Sequence, residues 1–488
     1  MAVATREQEV VEKVPKQLYI GGEWRDASEG RTLEVEDPAT EEALCEVADA
    51  TPDDAMAALD AAVERQAEWR ESSPNERSQI LWKAFEALNE RADELALLMT
   101  LEMGKTVAES KAEIVYAAEF FRWFSGEPLR LDGYYKAAGT GAGRVLVMRQ
   151  PVGPCLMITP WNFPMAMGTR KIGPAIAAGC TMVMKPAQQT PLSMLALAQI
   201  LEQCGLPGGV LNVVTASSAS ATTGPLIDDP RLRKLTFTGS TAVGAKLMEQ
   251  ASKNILKVSM ELGGNAPFLI FDDADLDAAI EGAMLAKMRN IGEACTAANR
   301  FHVADAVAER FADKLAERMG AMKLGRGTED DVDVGPLIDD DQRSKVAELV
   351  EDAVGKGAKA VVGGQKADGR GYFYEPTVLA EVPSNARLLK EEIFGPVAPV
   401  ASFDSEEAAV AAANDTEYGL VAYVYTRDIK RALRVCEGLE TGMVGLNQGM
   451  VSNAGAPFGG VKQSGVGREG GNEGIEEYLE TKYVAVNL

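Results

Sequence analysis

One cysteine, Cys295, lies in the stretch "GEACTAANR", where small neighbours leave its thiol room to react. A cysteine thiol can attack a carbonyl carbon once a base has taken its proton, and in hydrolases that base is commonly a histidine. The chain has one histidine, His302, seven residues further on in the apolar run "RFHVADAV". That run predicts a strand with His302 pointing away from Cys295, so a cysteine–histidine hydrolase is the weaker interpretation. A thiol that serves only for packing is the other alternative.

Two glutamates lie next to predicted turns. Glu261 ends the apolar run "KVSME" and precedes two glycines, and Glu392 precedes the turn "IFGPV". A buried carboxyl has a raised pKa, so a buried Glu261 could act as a base near neutral pH. Glu261 could equally cap the turn that follows it, and Glu392 could be an ordinary solvated charge.

An asparagine and a glycine-rich turn follow two further predicted strands. "PWNFP" at 160–164 closes the run "GPCLMIT", and there Asn162 could donate its amide to an oxyanion, or the turn could simply bury its aromatic residues. In "KLTFTGSTAVG", Gly239, Ser240 and Gly244 join a strand to a helix whose first amides could hold a phosphate. This second stretch departs from both GxGxxG and GK[ST], so an ordinary turn is as good a reading.

The elements that would position these residues belong to an α/β protein. A chain of 488 residues exceeds one hydrophobic core, so at least two domains are expected. Residues 51 to about 130 have helical periodicity. From about 145 short apolar runs alternate with helical stretches, and from about 262 to 460 a second such region follows, which predicts two parallel sheets.

Two segments predict strands outside both sheets. They are "DGYYKAAGTGAGRVLVMRQ" and the C-terminal "EEYLETKYVAVNL". Exposed strand edges favour pairing with another chain, so we expect a homo-oligomer.

Composition excludes several functions. The formal charge of −24 repels nucleic acid and anionic membranes, and an anionic substrate would need a local cationic pocket. The sequence has neither the apolar core of a signal peptide nor a membrane-length apolar run, so a cytoplasmic protein is expected. The six cysteines form no CxxC pair and no cluster with histidine, so neither a disulfide framework nor a metal site is predicted.

Seven stretches together resemble the aldehyde dehydrogenase superfamily, in order and in separation, over nearly the whole chain. They are "PWNFP", "KPAQQTP", "FTGSTAVG", "MELGGNAP", "GEACTAANR", "EEIFGPV" and "APFGGVKQSGVGREGG". Within the superfamily the chain is most similar to bacterial succinate-semialdehyde dehydrogenases. The resemblance implies a Rossmann-type dinucleotide-binding domain (1–128 and 149–261), an α/β catalytic domain (262–463) and a β-strand oligomerisation arm (129–148 and 471–488). It also implies a homodimer or homotetramer.

The resemblance assigns a mechanism that needs no histidine. Cys295 would attack the aldehyde, while the Asn162 amide and the Cys295 N–H stabilise the oxyanion. Hydride transfer to a nicotinamide would leave a thioester, and Glu261 would activate the water that hydrolyses it. Lys171 would belong to a proton relay.

The coenzyme site is implied in the same way. Gly239 and Ser240 would hold the pyrophosphate, Lys185 the adenosine ribose and Glu392 the nicotinamide ribose, with Trp161, Leu262 and Phe394 around the ring. Many NAD-preferring relatives have a glutamate where this chain has Gln188. Neutral Gln188 beside Lys185 would tolerate a 2′-phosphate, so NADP is predicted, with NAD as the alternative.

The implied substrate is succinate semialdehyde, whose distal carboxylate would be held by Arg170, Arg289 and Ser452. Glutarate-semialdehyde dehydrogenase is the nearest alternative, because one methylene discriminates by only about 1–3 kcal/mol. Ala297 stands where some relatives carry a second cysteine, so no local disulfide with Cys295 is expected. A coenzyme-independent thiol esterase and a non-catalytic scaffold are the alternatives from other classes.

Overall fold

The computed structural model describes residues 5–487. Its strands are β1 (Leu18–Ile20), β2 (Glu23–Arg25), β3 (Thr32–Asp37), β4 (Glu42–Ala48), β5 (Tyr134–Ala137), β6 (Arg144–Pro151), β7 (Cys155–Ile158), β8 (Met182–Lys185), β9 (Leu211–Val213), β10 (Lys234–Thr238), β11 (Lys257–Glu261), β12 (Ala266–Ile270), β13 (Ala298–Ala304), β14 (Lys359–Val362), β15 (Thr377–Ala380), β16 (Val397–Phe403), β17 (Val421–Tyr425), β18 (Met443–Leu446), β19 (Gly465–Val466) and β20 (Leu479–Val486).

The α-helices alternate with these strands after a helical N-terminal part. They are α1 (Arg6–Glu12), α2 (Pro52–Arg70), α3 (Pro74–Glu90), α4 (Ala92–Met103), α5 (Val107–Ser125), α6 (Ala166–Ala178), α7 (Pro191–Gln203), α8 (Ala219–Asp228), α9 (Thr241–Ser252), α10 (Leu276–Met288), α11 (Ala308–Gly320), α12 (Asp340–Gly355), α13 (Glu406–Asn414), α14 (Ile429–Gly438) and α15 (Glu473–Glu476).

The first large sheet has the order β19-β11-β10-β7-β8-β9-β1-β2. Its central strands β11, β10, β7, β8 and β9 run parallel, and β19, β1 and β2 extend it antiparallel. Strands β7 and β8 are buried along their whole length, as apolar runs covered by helices on both faces should be.

The second sheet has the order β14-β15-β16-β13-β12-β17-β18, parallel except at β14. A third, smaller sheet pairs β20 with β6 and β6 with β5, all antiparallel. All four residues of β5 are exposed. The chain is therefore an α/β protein, and the α/β fold class predicted from the sequence is confirmed.

Strand register brings the sequence motifs to one edge of the first sheet. Thr238 pairs with Glu261, Phe237 with Ile158, and Ile158 with Lys185, so the carboxyl ends of four parallel strands coincide. Open α/β sheets bind ligands at this edge. No helix among residues 5–487 combines the length and apolarity needed to cross a bilayer.

Candidate active site

A cleft of about 200 Å³ opens at this edge of the first sheet, where it faces the second. Most of the site residues predicted from the sequence line it: Trp161, Asn162, Gly239, Ser240, Glu261, Leu262, Cys295, Glu392 and Phe394. Gln342 and Lys345 from α12 complete the wall. The strand-end motifs of one sheet therefore meet the cysteine segment, which leads into β13 of the other.

A strained turn sets the position of Cys295. After α10 the backbone enters the left-handed region at Asn290 (φ 58°), Ile291 (φ 62°) and Gly292 (φ 77°). This conformation is unfavourable for a β-branched residue such as Ile291, and strained backbone of this kind clusters at functional sites. A Cβ on Gly292 would lie 2.3 Å from the carbonyl oxygen of Gly395, so the turn requires glycine there.

The Cys295 thiol is held protonated by its surroundings. Although the residue is partly exposed, burial raises the pKa of the thiol to about 12, and Glu392 and Glu261 push it in the same direction. Arg170 and Arg289 oppose the rise. Reaction at neutral pH therefore needs a nearby proton acceptor or an added positive charge.

Glu261 has the properties of that acceptor. Its side chain is buried, and its Oε2 has no hydrogen-bond partner. Burial raises the pKa of Glu261 well above its usual range, the Glu469 carboxylate raises it further, and Arg170 and Lys171 oppose the shift. A raised pKa makes the Glu261 carboxylate a stronger base than an ordinary glutamate.

Glu469 binds the two cationic side chains near Glu261, those of Arg170 and Lys171. Its carboxylate lies 2.8 Å from Arg170 and also binds Lys171, and all three side chains are buried. Burial alone would raise the pKa of Glu469, but Lys171 and Arg170 bring it below its usual range. The ion pairs hold the Arg170 and Lys171 side chains next to Glu261.

The Asn162 amide is fixed and buried. Its Nδ2 donates one hydrogen bond to the Glu293 carbonyl oxygen at 3.0 Å, two residues before Cys295. A primary amide has two N–H donors, so the second is free for a ligand oxygen in the cleft. Asn162 therefore has the chemistry required of an oxyanion donor.

The other half of the cleft suits a dinucleotide. Ser240 is the N-cap residue of α9, whose first turn contains no acidic side chain, so the free N–H groups of that turn can donate hydrogen bonds to an anion. The Trp161 and Phe394 rings meet edge to face at 5.4 Å, and Glu392 accepts a hydrogen bond from the Gly264 N–H at 3.1 Å. Burial raises the pKa of Glu392 to about 7.

Lys185 and Gln188 lie beyond this cleft. Lys185 ends β8 and is 5 % exposed, and burial lowers the pKa of its ammonium to about 8 while Asp49 opposes the shift. Gln188 is exposed and lines a separate pocket with Ser217 and with acidic side chains such as Glu34.

A second cavity of about 560 Å³ holds two of the three predicted carboxylate partners. Arg289 donates to the Ser452 hydroxyl at 3.3 Å, and its guanidinium stacks over Phe163 at 4.8 Å from the ring centroid. Four methionines supply much of the apolar wall: Met284, Met288, Met322 and Met450. Arg170 is absent from this lining and packs over Phe458 at 3.9 Å.

Comparison with known proteins identifies this combination of sheets and cleft. A model of the aldehyde dehydrogenase family matches residues 24–484. The chain belongs to the aldehyde dehydrogenase family. The resemblance found in the sequence is thereby confirmed.

Relatives of this aldehyde dehydrogenase match it along almost their whole length. A succinate-semialdehyde dehydrogenase of Paenarthrobacter nicotinovorans is 58 % identical over 91 % of this chain and 98 % of the relative. A glutarate-semialdehyde dehydrogenase of Pseudomonas putida is 50 % identical over 97 % and 98 %. The crystal structure of an Escherichia coli NADP-dependent enzyme superposes with a TM-score of 0.96 at 51 % identity, covering 97 % of this chain and 98 % of the other.

The histidine lies elsewhere in this aldehyde dehydrogenase. His302 is buried in β13 and lines a different pocket from Cys295. Burial, with Arg300 next, lowers the pKa of His302 to about 3, so the ring is neutral at physiological pH. Nothing in the arrangement favours a cysteine–histidine hydrolase.

Sequence reasoning missed the residues that hold the site from behind. Glu469 was visible only as one glutamate in "VGREGG", and Lys105 carried no signal at all. Gln342 and Lys345 line the cleft itself and were missed because they belong to a helix without a recognisable motif. Their roles depend on contacts between distant segments, such as Lys171 with Glu469 across 298 positions.

Proposed function

We propose that this aldehyde dehydrogenase oxidises succinate semialdehyde to succinate with NADP. One observation supports the proposal most strongly. Cys295, Glu261 and Asn162 line one cleft, and the Arg289–Ser452 pair lines the cavity beside it. The first set supports aldehyde oxidation, and the second offers a guanidinium to a distal carboxylate.

The chemistry begins at the thiol. Glu261 accepts the Cys295 proton, and the thiolate sulfur forms a bond with the aldehyde carbon while the carbonyl π electrons move onto oxygen. The Asn162 N–H and the Cys295 backbone N–H stabilise that oxyanion in the thiohemiacetal. Arg170 and Arg289 lower the energy of the negative charge nearby.

The coenzyme, when bound, supplies the acceptor for the hydride that leaves the thiohemiacetal carbon. Cys295 is then acylated as a thioester. Glu261 first releases the thiol proton to solvent and then takes a proton from a water molecule, whose oxygen attacks the thioester carbon. The C–S bond breaks, and Glu261 returns this second proton to the departing sulfur, which leaves the carboxylic acid and the free Cys295 thiol. The raised pKa of Glu261 fits both proton transfers, and the ion-pair cluster that holds Lys171 next to Glu261 supports the proposed role of Lys171 in a proton relay.

The distal carboxylate of the substrate fits the second cavity. Arg289 is half-buried there, between Phe163 and Tyr116, which shield its charge from water. A guanidinium in such surroundings binds a carboxylate more strongly than a solvated one does. Arg170 is absent from the lining of this cavity, and its charge acts on Cys295 while Glu469 holds the side chain.

Glutarate semialdehyde is a second candidate substrate. A cavity of about 560 Å³ with flexible methionine walls has room for one more methylene, and a relative at 50 % identity carries that name. We infer activity with both semialdehydes and a preference for the shorter one.

The coenzyme preference rests on Gln188, and an Escherichia coli structure at 51 % identity is described as NADP-dependent. A carboxylate at position 188 would repel the 2′-phosphate. We predict that Gln188→Glu shifts the ratio of kcat/KM for NADP over NAD toward NAD by about 10-fold or more, since about 1.4 kcal/mol corresponds to tenfold. Gln203→Glu, at an exposed position outside this pocket, is the matched control. An unchanged ratio in Gln188→Glu would contradict the assignment.

We also propose the domain division 1–128 with 149–261, 262–463, and 129–148 with 471–488, the last as the arm of a homodimer or homotetramer. The exposed strand β5 with Tyr134 and Tyr135, and Tyr483 on β20, support this arm. Sedimentation at micromolar concentration tests it, and a monomer would overturn it.

A spectrophotometric panel tests the proposed function. Succinate, glutarate and malonate semialdehydes are compared with butyraldehyde, each with NADP and with NAD. Reduced coenzyme should form fastest with succinate semialdehyde and NADP. Formation only with uncharged aldehydes would overturn the substrate, and formation with none would overturn the activity.

A further inference from the structure

A buried lysine reaches the backbone of the oxyanion donor from behind. Lys105 follows α4 and is 0 % exposed, and its Nζ donates to the Asn162 carbonyl oxygen at 2.9 Å. The same ammonium binds the Glu113 carboxylate and lies 4.5 Å from the centroid of the Phe163 ring. A buried ammonium needs such partners, because an unpaired buried charge costs several kcal/mol.

Glu113 links that lysine to the helix that follows Asn162. Its other oxygen accepts the N–H groups of Met165 at 2.9 Å and Ala166 at 3.0 Å, at the start of α6. A carboxylate at a helix N-terminus satisfies free N–H donors and the helix dipole. The turn between β7 and α6 is thereby held at Asn162 and again at its junction with α6.

Asn290 closes the network on the cysteine side. Its Nδ2 donates to the Asn162 carbonyl oxygen at 3.1 Å and to the Glu293 carbonyl oxygen at 2.9 Å. The Asn162 amide donates to that same Glu293 oxygen at 3.0 Å. The oxyanion donor and the nucleophile turn are therefore held in one fixed relation.

We propose that Lys105 is a positioning residue for catalysis: its ammonium, neutralised by Glu113, fixes Asn162 so that the free amide N–H points at the oxyanion formed on Cys295. This inference rests on the proposed function. Preorganised donors contribute because they need no rearrangement when charge develops. A shift of about 1 Å in such a donor can cost about 10²-fold in rate.

The test separates positioning from folding by charge-balanced variants. Lys105→Met/Glu113→Gln removes both charges and leaves neither ion unpaired. We expect kcat per active site to fall about 10- to 100-fold with KM little changed.

A double-mutant cycle shows whether Lys105 affects kcat through Asn162. Asn162→Ala alone should lower kcat about 10²–10³-fold. Adding Lys105→Met/Glu113→Gln to Asn162→Ala should then cause little further loss, because the donor that Lys105 positions is gone. Losses that multiply, or a kcat of Lys105→Met/Glu113→Gln equal to the parent's, would overturn the proposal.

A buried lysine elsewhere is the matched control. Lys234 is also 0 % exposed, binds Ser259, and stands at the amino end of β10, away from the cleft at its carboxyl end. Lys234→Met should lower the melting temperature and leave kcat per active site unchanged. Alkylation of Cys295 by iodoacetamide without aldehyde or coenzyme should proceed at the parent rate in the Lys105→Met/Glu113→Gln variant, because the thiol itself has not moved.

These outcomes are distinct from a failure of the proposed function. The ratio of variant to parent kcat can be measured with any aldehyde that the parent oxidises, whether or not it is succinate semialdehyde. A parent that reduces no coenzyme with any aldehyde refutes the activity. An active parent with an equally active Lys105→Met/Glu113→Gln variant refutes the role of Lys105.

Discussion

At the scale of single residues, the cleft combines two carboxyl groups of opposite behaviour. Glu261 is pushed toward the protonated form by burial, whereas Glu469, equally buried, stays ionised between Arg170 and Lys171. Two nearby carboxyls whose pKa values diverge in this way identify which one exchanges protons. We propose that Glu261 is the proton acceptor and that Glu469 is the fixed charge that supports it.

The pH dependence of the reaction follows from Glu261. The base must be ionised, so activity should fall as pH drops through a pKa that lies well above the usual range of a glutamate. In Glu261→Gln this acidic limb of the kcat profile should disappear, at a rate lowered about 10²–10⁴-fold. A pH titration of kcat for both proteins checks this. The same limb in both would show that another group titrates.

The clamp prediction also belongs to one residue. Arg289→Met should weaken kcat/KM for succinate semialdehyde, mainly through KM, far more than kcat/KM for butyraldehyde, because only the former carries a distal carboxylate. Loss of a charge-assisted hydrogen bond of about 1.5–3 kcal/mol corresponds to about 10- to 100-fold in KM. Arg326→Met, which removes a partly buried arginine paired with Glu7 and Asp37, is the control. Equal losses on both aldehydes would refute the clamp.

At the scale of elements, the turn between α10 and β13 that carries Cys295 contains a buried acid, Glu293. Glu293 is 0 % exposed, its Oε1 accepts only the Ile338 N–H at 3.2 Å, and its Oε2 has no partner. Burial raises the pKa of Glu293 well above its usual range, and the Ile338 N–H only partly opposes this. The folded protein therefore holds a proton that the unfolded chain releases at ordinary carboxyl pKa.

This proton makes stability depend on pH. The stabilisation is complete below the unfolded pKa and is lost as pH rises through the raised folded pKa. Glu293→Gln keeps the shape and removes the titration, so its melting temperature should fall less between pH 6 and pH 9 than that of the parent. Thermal unfolding across that range measures it, with Glu391→Gln, a half-buried glutamate at the surface, as the comparison. Melting temperatures of Glu293→Gln and the parent that change equally with pH would contradict the raised pKa of Glu293.

The position of a residue in the sheets and helices decides whether its role could be predicted from the sequence. Motifs at the ends of parallel strands, such as those of Asn162, Gly239 and Glu261, converge because register forces them to one edge. Lys105 and Glu469 could not be foreseen, since each acts through a contact that only the packed structure creates. Arg170 was expected in the carboxylate pocket, and the structure places it with Glu469 because a buried guanidinium takes a buried carboxylate as partner.

At the scale of the whole molecule, a net charge of −24 opposes the approach of an anionic substrate. Salt shortens the Debye length from about 30 Å at 0.01 M to about 8 Å at 0.15 M, while the half-buried Arg289 is screened less. The kcat/KM for succinate semialdehyde should therefore rise over this range relative to that for butyraldehyde. Stopped-flow or steady-state rates in chloride buffers measure the ratio. A falling ratio would mean that attraction at the pocket dominates the long-range field.

The central claim is that Cys295 becomes acylated during the reaction, and trapping the thioester tests it most directly. The parent enzyme, mixed with succinate semialdehyde and coenzyme and quenched in acid within one turnover, should gain the mass of one succinyl group, and peptide mapping should locate that group on Cys295. Cys295→Ala should gain no such mass and reduce no coenzyme. A succinyl group on another residue, or coenzyme reduction by Cys295→Ala at the parent rate, would contradict the account.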